Sequence, residues 1–239
     1  LTIRFLNKGK NAAEILIYSD IGESWWGDGM TAKKFSEELK ALGAVDTIDV
    51  RINSYGGDVF DGLAIHRQLI DHGAEVTTHV DGIGASIASV IAMAGKTINI
   101  SESGFLMIHD AWTIAIGNAE ELRAVAERVD ATSAAICEVY AARSGKSEEQ
   151  VREWMKAETW FTGKEAVANK LCDAVAENVK VAARSRPEWA KFAKAPLALG
   201  AAPANDERSK IDTPLRDAAR QAIETRRRAA AAKQASARG

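Results

Sequence analysis

The chain has 239 residues, 46% of them hydrophobic, and a formal net charge of −2 at pH 7. That content supports one sizeable core within one or two domains, and the near-neutral charge gives no reason to expect nucleic acid or a membrane surface as partner. No apolar run approaches the ~18 residues of a membrane span, and no charged n-region with a following apolar h-region opens the chain, whose first residue is Leu1. A soluble, unsecreted, cytoplasmic protein is expected. Cys137 and Cys172 match no zinc or CxxC spacing and read as small buried hydrophobes in a reducing compartment.

The first strand is expected in "AEILIYSDI" (13–21), whose apolar residues are largely β-favouring. Thr31 then caps "AKKFSEELKALG", with Phe35, Leu39 and Leu42 on one face and Gly43 as the stop. "TIDVRIN" (47–53) is a second strand. Beyond "YGGD", "VFDGLAIHRQLIDHG" places Val59, Leu63, Ile65, Leu69 and Ile70 near helical spacing. "EVTTHVDG", "TINISE" and "GFLMIHD" are further short strands, with a helix beginning close to Ser86. A long helix follows from Asn118, with Glu121 completing a capping box and Leu122, Val125, Val129, Ile136 and Val139 as its apolar stripe. Gly145 ends it. Ser147 with Gln150, and Thr162 with Glu165, open two more helices. Strands alternating with helices predict an α/β domain with a mostly parallel sheet over residues 1–182.

The prolines, Pro187, Pro196, Pro203 and Pro214, all fall late in the chain. Residues 183–239 read as an Ala/Pro/Arg-rich linker and extension that is flexible, apart from a helix from Pro214 to Ala232 capped by Thr213. Its basic end, Arg226 to Arg228, is either a solvated tail or a docking segment.

Three stretches carry chemistry. In "DGIGASIASVIAMAG" (81–95), Gly82 and Gly84 permit a tight turn and Ser86 falls at a helix N-terminus. There it either caps the helix or serves as an activated nucleophile among free N–H groups. Ser89, one turn on, packs inward. Of the histidines, His66 and His72 read as solvated and His79 as a strand residue, whereas His109 ends an apolar strand where it can face a site. In "INSYGGDVF", Gly56 and Gly57 between strand and helix can turn backbone N–H groups towards a ligand.

The order strand–"NSYGG"–helix, strand–"GIGAS"–helix, strand–"MIH", long helix, "ETWFTGKEAVANKLCD" resembles the Clp protease proteolytic subunit family of serine peptidases (peptidase S14) over roughly residues 13–178. The resemblance implies a ClpP/crotonase-like α/β fold of repeated β-β-α units and a homo-oligomer formed through the long helix. It implies Ser86 as nucleophile, His109 as base, the N–H groups of Gly57 and Ile87 as oxyanion hole, polypeptide substrates, and no metal or organic cofactor. The separation of Ser86 and His109 is slightly short for the family, with "AGKTI" as the place of the deletion. Aligning "TGKEA" with the family's "SAPEA" puts Glu158 where the family has Asp. Asp110, next to His109 along a strand, would point to the opposite face. Asp173 reads as a structural cap or pairing residue.

Other departures bear on biology. Tyr55 replaces the family's Pro, and "HDAW" replaces "HQP". The short segment before the first expected strand speaks against docking to a Clp-type ATPase. "IYSDIGESWWGDGMTAKKFSEELKAL", with Trp25 and Trp26, resembles the Clp-related phage head maturation proteases, which implies processing of scaffold and capsid proteins inside proheads in the host cytoplasm. The alternatives are an ATP-dependent housekeeping subunit, a catalytically silent assembly protein of the same fold and, last, a crotonase-type CoA enzyme.

Overall fold

The computed structural model describes residues 4–9, 11–23, 29–176, 192 and 194. Trp25, Trp26, the expected linker apart from Phe192 and Lys194, and the helix expected over 214–232 lie outside these. The chain divides into two units, one of residues 1–111 with 132–195, the other of 112–131 with 196–239.

The first unit is built on a sheet. Its strands are β1 (Arg4–Gly9), β2 (Ala12–Ile17), β3 (Thr47–Ser54), β4 (Glu75–Ala85), β5 (Thr97–Ser101), β6 (Phe105–Ile108), β7 (Thr159–Thr162) and β8 (Ala174–Ala176). The path β1-β2-β3-β4-β5-β8 is parallel except for β1 against β2. Sequence pattern finds β2 and β3 because they alternate, burying Ile15, Ile17, Ile48, Val50 and Ile52 on one face. Burying such a side chain contributes about 2 kcal/mol. β1 has no such pattern and was not expected; it pairs by register with β2 from the edge. β8 was not expected either.

Helices α1 (Ala32–Ala41), α2 (Val59–Asp71), α3 (Ile87–Ala92), the later part of α4 (Ala119–Ser144), α5 (Glu148–Lys156) and α6 (Gly163–Ala168) supply the same core cluster. Their starts follow the expected capping chemistry. Thr31 accepts from Lys34 N, Ser147 from Gln150 N, and Thr162 with Glu165 forms a reciprocal box. Within α4 the buried residues are Ser133, Ile136, Cys137, Tyr140 and Ser144, while Leu122 of the expected stripe is exposed. In the second unit, Trp112 and Ile114 are also exposed, at 64% and 57%.

The other face of the sheet carries polar pairs. Asp81 on β4 is buried and accepts from Arg51 on β3 and from Tyr18 OH at 2.5 Å. Burial and the neighbouring Asp81 carboxylate push the Tyr18 phenol up to about 12. Cys137 and Cys172 are buried and unpaired, as small hydrophobes are, and burial pushes the Cys172 thiol up to about 12.

One expectation needs correction. Gly82 and Gly84 do not make a tight turn; β4 runs through both to Ala85. A Cβ at Gly82 would lie 2.9 Å from Asn53 Oδ1, which accepts from Ile83 N at 3.2 Å. The glycine permits close approach of two strands, not reversal of the chain. β4 also changes neighbour here: Thr77–Val80 pair with β5, and Ile83–Ala85 pair with β6. That switch puts the end of β4 beside β6.

Candidate active site

Three strand ends meet at one place. β6 runs parallel to β4, with Ala85 opposite Met107, and antiparallel to β7, with Ile108 opposite Thr159. One step further along this register, Ser86 follows β4, His109 follows β6 and Glu158 precedes β7. Residues distant in sequence are thereby neighbours at one edge.

Ser86 has φ 56° and ψ −133°, a conformation that L residues rarely adopt. It occupies the N-cap position of α3, yet its side chain makes no cap hydrogen bond. Its Oγ lies 2.7 Å from His109 Nε2 instead. The Ser86 hydroxyl thus meets an imidazole and does not cap the helix. Holding a non-glycine residue there costs of order 1–3 kcal/mol and needs surrounding structure to enforce it. The enforcement is visible. Ser86 N donates to Met107 O at 3.0 Å, and Ser89 Oγ lies 2.6 Å from Ser86 O, 2.9 Å from Met107 O and 2.7 Å from Tyr140 OH. Tyr140 is fully buried, and burial holds its phenol well above its ordinary range. Ser89 packs inward as expected; that it and Tyr140 lock the turn was not legible, because α4 is remote in sequence.

Gly56 and Gly57 have φ of +96° and +148°. A Cβ at Gly56 would lie 2.8 Å from Ser86 Cβ and 3.2 Å from Ile87 N, so this turn rests directly on the Ser86 backbone. Ser54 Oγ fixes the turn, donating to Ser19 O at 2.7 Å and accepting from Gly56 N at 3.1 Å. The Gly57 and Ile87 N–H groups therefore belong to segments that border Ser86.

His109 and Asp110 lie just past the end of β6, so strand alternation does not govern Asp110. Burial holds the His109 imidazole below its usual range, and the Glu158 and then the Asp110 carboxylate partly offset this. Glu158 acts more strongly on His109 than Asp110 does. Glu158 also has a left-handed backbone, φ 49°, directly after the C-cap of α5. Its Oε1 accepts from Trp160 Nε1 at 3.3 Å and from Lys194 N at 2.7 Å. Asp173 is structural: it accepts from Ile98 N at 2.7 Å and pairs with Arg143. His79 is held by Asp49 at 2.9 Å. His66 and His72, expected to be solvated, are half-buried, and burial with the Arg67 charge lowers the His66 pKa.

A depressed imidazole pKa has a consequence for pH dependence. His109 stays neutral, able to accept a proton, to a lower pH than a solvated histidine. With His109 as base, as the resemblance implies, the acid limb of kcat/KM is expected below the ordinary imidazole range near 6.5, activity falling as pH drops through it. A pH–rate profile on folded protein checks this; a flat profile from about pH 5 to 9 would remove His109 from the base role.

A family model described as Clp protease matches residues 12–179. The ATP-dependent Clp protease proteolytic subunit of Ligilactobacillus salivarius is 34% identical over 145 residues, covering 59% of this chain and 73% of the relative. Its counterpart in Porphyromonas gingivalis is 30% identical over 156 residues, 63% of this chain and 70% of the relative. Proteolytic subunit 3 of Rhodococcus jostii is 32% identical over 154 residues, 62% and 76% respectively. Among solved structures, a ClpP1 point mutant from Listeria monocytogenes superposes with a TM-score of 0.60 at 24% identity, covering 69% of this chain and 91% of that one, a likeness of fold.

Proposed function

The chain belongs to the Clp protease family and is a serine-type peptidase, and from that premise we propose that Ser86, His109 and Glu158 carry its chemistry. Ser86 Oγ attacks the scissile carbonyl while His109 Nε2 takes its proton and later gives it to the leaving amine. Glu158 favours the imidazolium formed in between. The N–H groups of Gly57 and Ile87 receive the oxyanion. The observation that carries this reading is the 2.7 Å pair of Ser86 Oγ and His109 Nε2 on a backbone strained at the serine. Labelling with a fluorophosphonate, followed by peptide mapping, tests it: the adduct belongs on Ser86, and an adduct elsewhere or none at all overturns the assignment.

Glu158→Gln is expected to keep the fold and lower kcat about 10²- to 10⁴-fold, since a neutral amide stabilises imidazolium poorly. It also removes the stronger of the two charges that raise the His109 pKa, so the acid limb should move to lower pH. A near-normal Glu158→Gln beside an inactive but folded Asp173→Asn would transfer the role to Asp173.

The finer reading is processing of scaffold and capsid proteins in phage proheads. What supports it is the resemblance of the segment around residues 17–42 and the charged extension. The names of the relatives favour a second reading, an ATP-dependent subunit fed by a Clp-type ATPase. Incubation with a Clp ATPase, ATP and a folded substrate separates them: ATP-stimulated degradation supports the second, and ATP-independent cleavage of scaffold protein the first. We also expect a homo-oligomer, supported by the exposed Trp112, Ile114 and Leu122. Light scattering at micromolar concentration should show species larger than the 25.7 kDa chain; a monomer alone would remove the idea.

A further inference from the structure

Phe192 and Lys194 lie beyond residue 182, where the sequence places a linker, yet they sit on the site itself. Phe192 is 8% exposed and clusters with Tyr55, Ile83, Ala85 and Met107, with Trp160 packed alongside. Its ring meets His109 edge-on at 5.8 Å between centroids, Trp160 at 5.5 Å and Tyr55 at 6.3 Å. Two residues on, Lys194 N donates to Glu158 Oε1 at 2.7 Å and Lys194 Nζ donates to Ala157 O at 2.6 Å.

These contacts involve much of the proposed machinery. Phe192 touches the base, and Tyr55 beside it adjoins the Gly56–Gly57 turn. Lys194 engages the acid. An apolar side chain in a pocket next to the base, with a main-chain N–H bonded two residues later, is how a bound peptide would be held.

Resting on the peptidase reading above, we propose that Phe192 and Lys194 are a built-in occupant of the substrate site, an autoinhibitory contact that substrate must displace. Tyr55, Met107 and Trp160 form its aromatic and apolar seat, and Glu158 its main-chain acceptor. An in-cis occupant acts as a competitor at fixed effective concentration. It raises the apparent KM by a factor of one plus the ratio of closed to open states and leaves kcat at saturation unchanged.

The test uses the full-length chain and a small unstructured fluorogenic peptide. Phe192→Ala should lower KM on the order of tenfold at unchanged kcat. Lys194→Pro, which keeps Phe192 and removes both the donor to Glu158 and the Nζ donor to Ala157 O, should shift KM in the same direction. In parallel, a fluorescein-labelled peptide "PEWAKFAKAPLAL" is titrated by anisotropy onto chain carrying Ser86→Ala and Phe192→Ala. It should bind, and the same peptide with Ala at the Phe position should bind at least about tenfold more weakly. Unchanged or raised KM in both variants, or a peptide that does not bind, overturns the proposal. If no variant hydrolyses peptide but the labelled segment binds through its Phe, the seat stands and the peptidase assignment of Ser86 falls.

Discussion

Replacing Ser86 with Ala is expected to lower kcat for peptide hydrolysis roughly 10⁴- to 10⁶-fold, with fold and oligomeric state retained. In the proposed mechanism the Ser86 oxygen forms the acyl bond, so no neighbour can substitute for it. Ser89, the nearest alternative, is fully buried with its Oγ within hydrogen-bonding distance of two carbonyls and Tyr140. The residual rate should exceed that in water, because the proposed oxyanion donors and the bound geometry persist. Alanine also relieves no strain, since φ 56° is as unfavourable for Ala as for Ser. The variant should therefore be no more stable than the parent by more than a few tenths of a kcal/mol. Kinetics with thermal melting checks both parts. Retention of more than a few per cent of the activity would show that the chemistry runs elsewhere. A crotonase-type site, which holds an enolate with N–H groups alone, would tolerate this change.

The second large effect is expected at Gly57. Its φ is +148°, and a Cβ there would lie 2.0 Å from Ile21 O and 2.9 Å from Ile21 C and N. These are backbone atoms, fixed by Ile21 N donating to Gly56 O and Asp58 N to Ile21 O, both at 2.9 Å. Nothing flexible can yield, so in Gly57→Ala the turn itself must move. It carries the Gly57 N–H away from the position an oxyanion would take, and Tyr55 with it. Loss of one such donor costs about 10²- to 10³-fold in kcat, with KM changed far less. Gly73→Ala is the control: φ is +81° and no atom lies within 4 Å of the added Cβ, so it strains the backbone without touching the site. It should cost about 1 kcal/mol of stability and leave kcat unchanged. If Gly57→Ala folds and turns over like the parent, the oxyanion is bound by other groups.

The sequence by itself determined the elements whose signals are local. Capping pairs such as Thr31–Lys34, Ser147–Gln150 and Thr162–Glu165 act across three residues, and alternation in β3 needs only its own eight. Those signals place Ser86 after a strand and His109 at the end of one, and the order of the motifs identifies the family. Only the tertiary structure decided which groups meet. Glu158 comes opposite His109 because β7 pairs antiparallel with β6, a register set by packing between segments some fifty residues apart. The positive φ at Ser86 and Glu158 is likewise invisible locally, since side-chain identity predicts the reverse. Ser89 meets Tyr140 across 51 residues, and Lys194 meets Glu158 across 36. Local chemistry selects strand or helix within a few residues, whereas a hydrogen bond across such separations forms only after chain entropy has been offset by the common core.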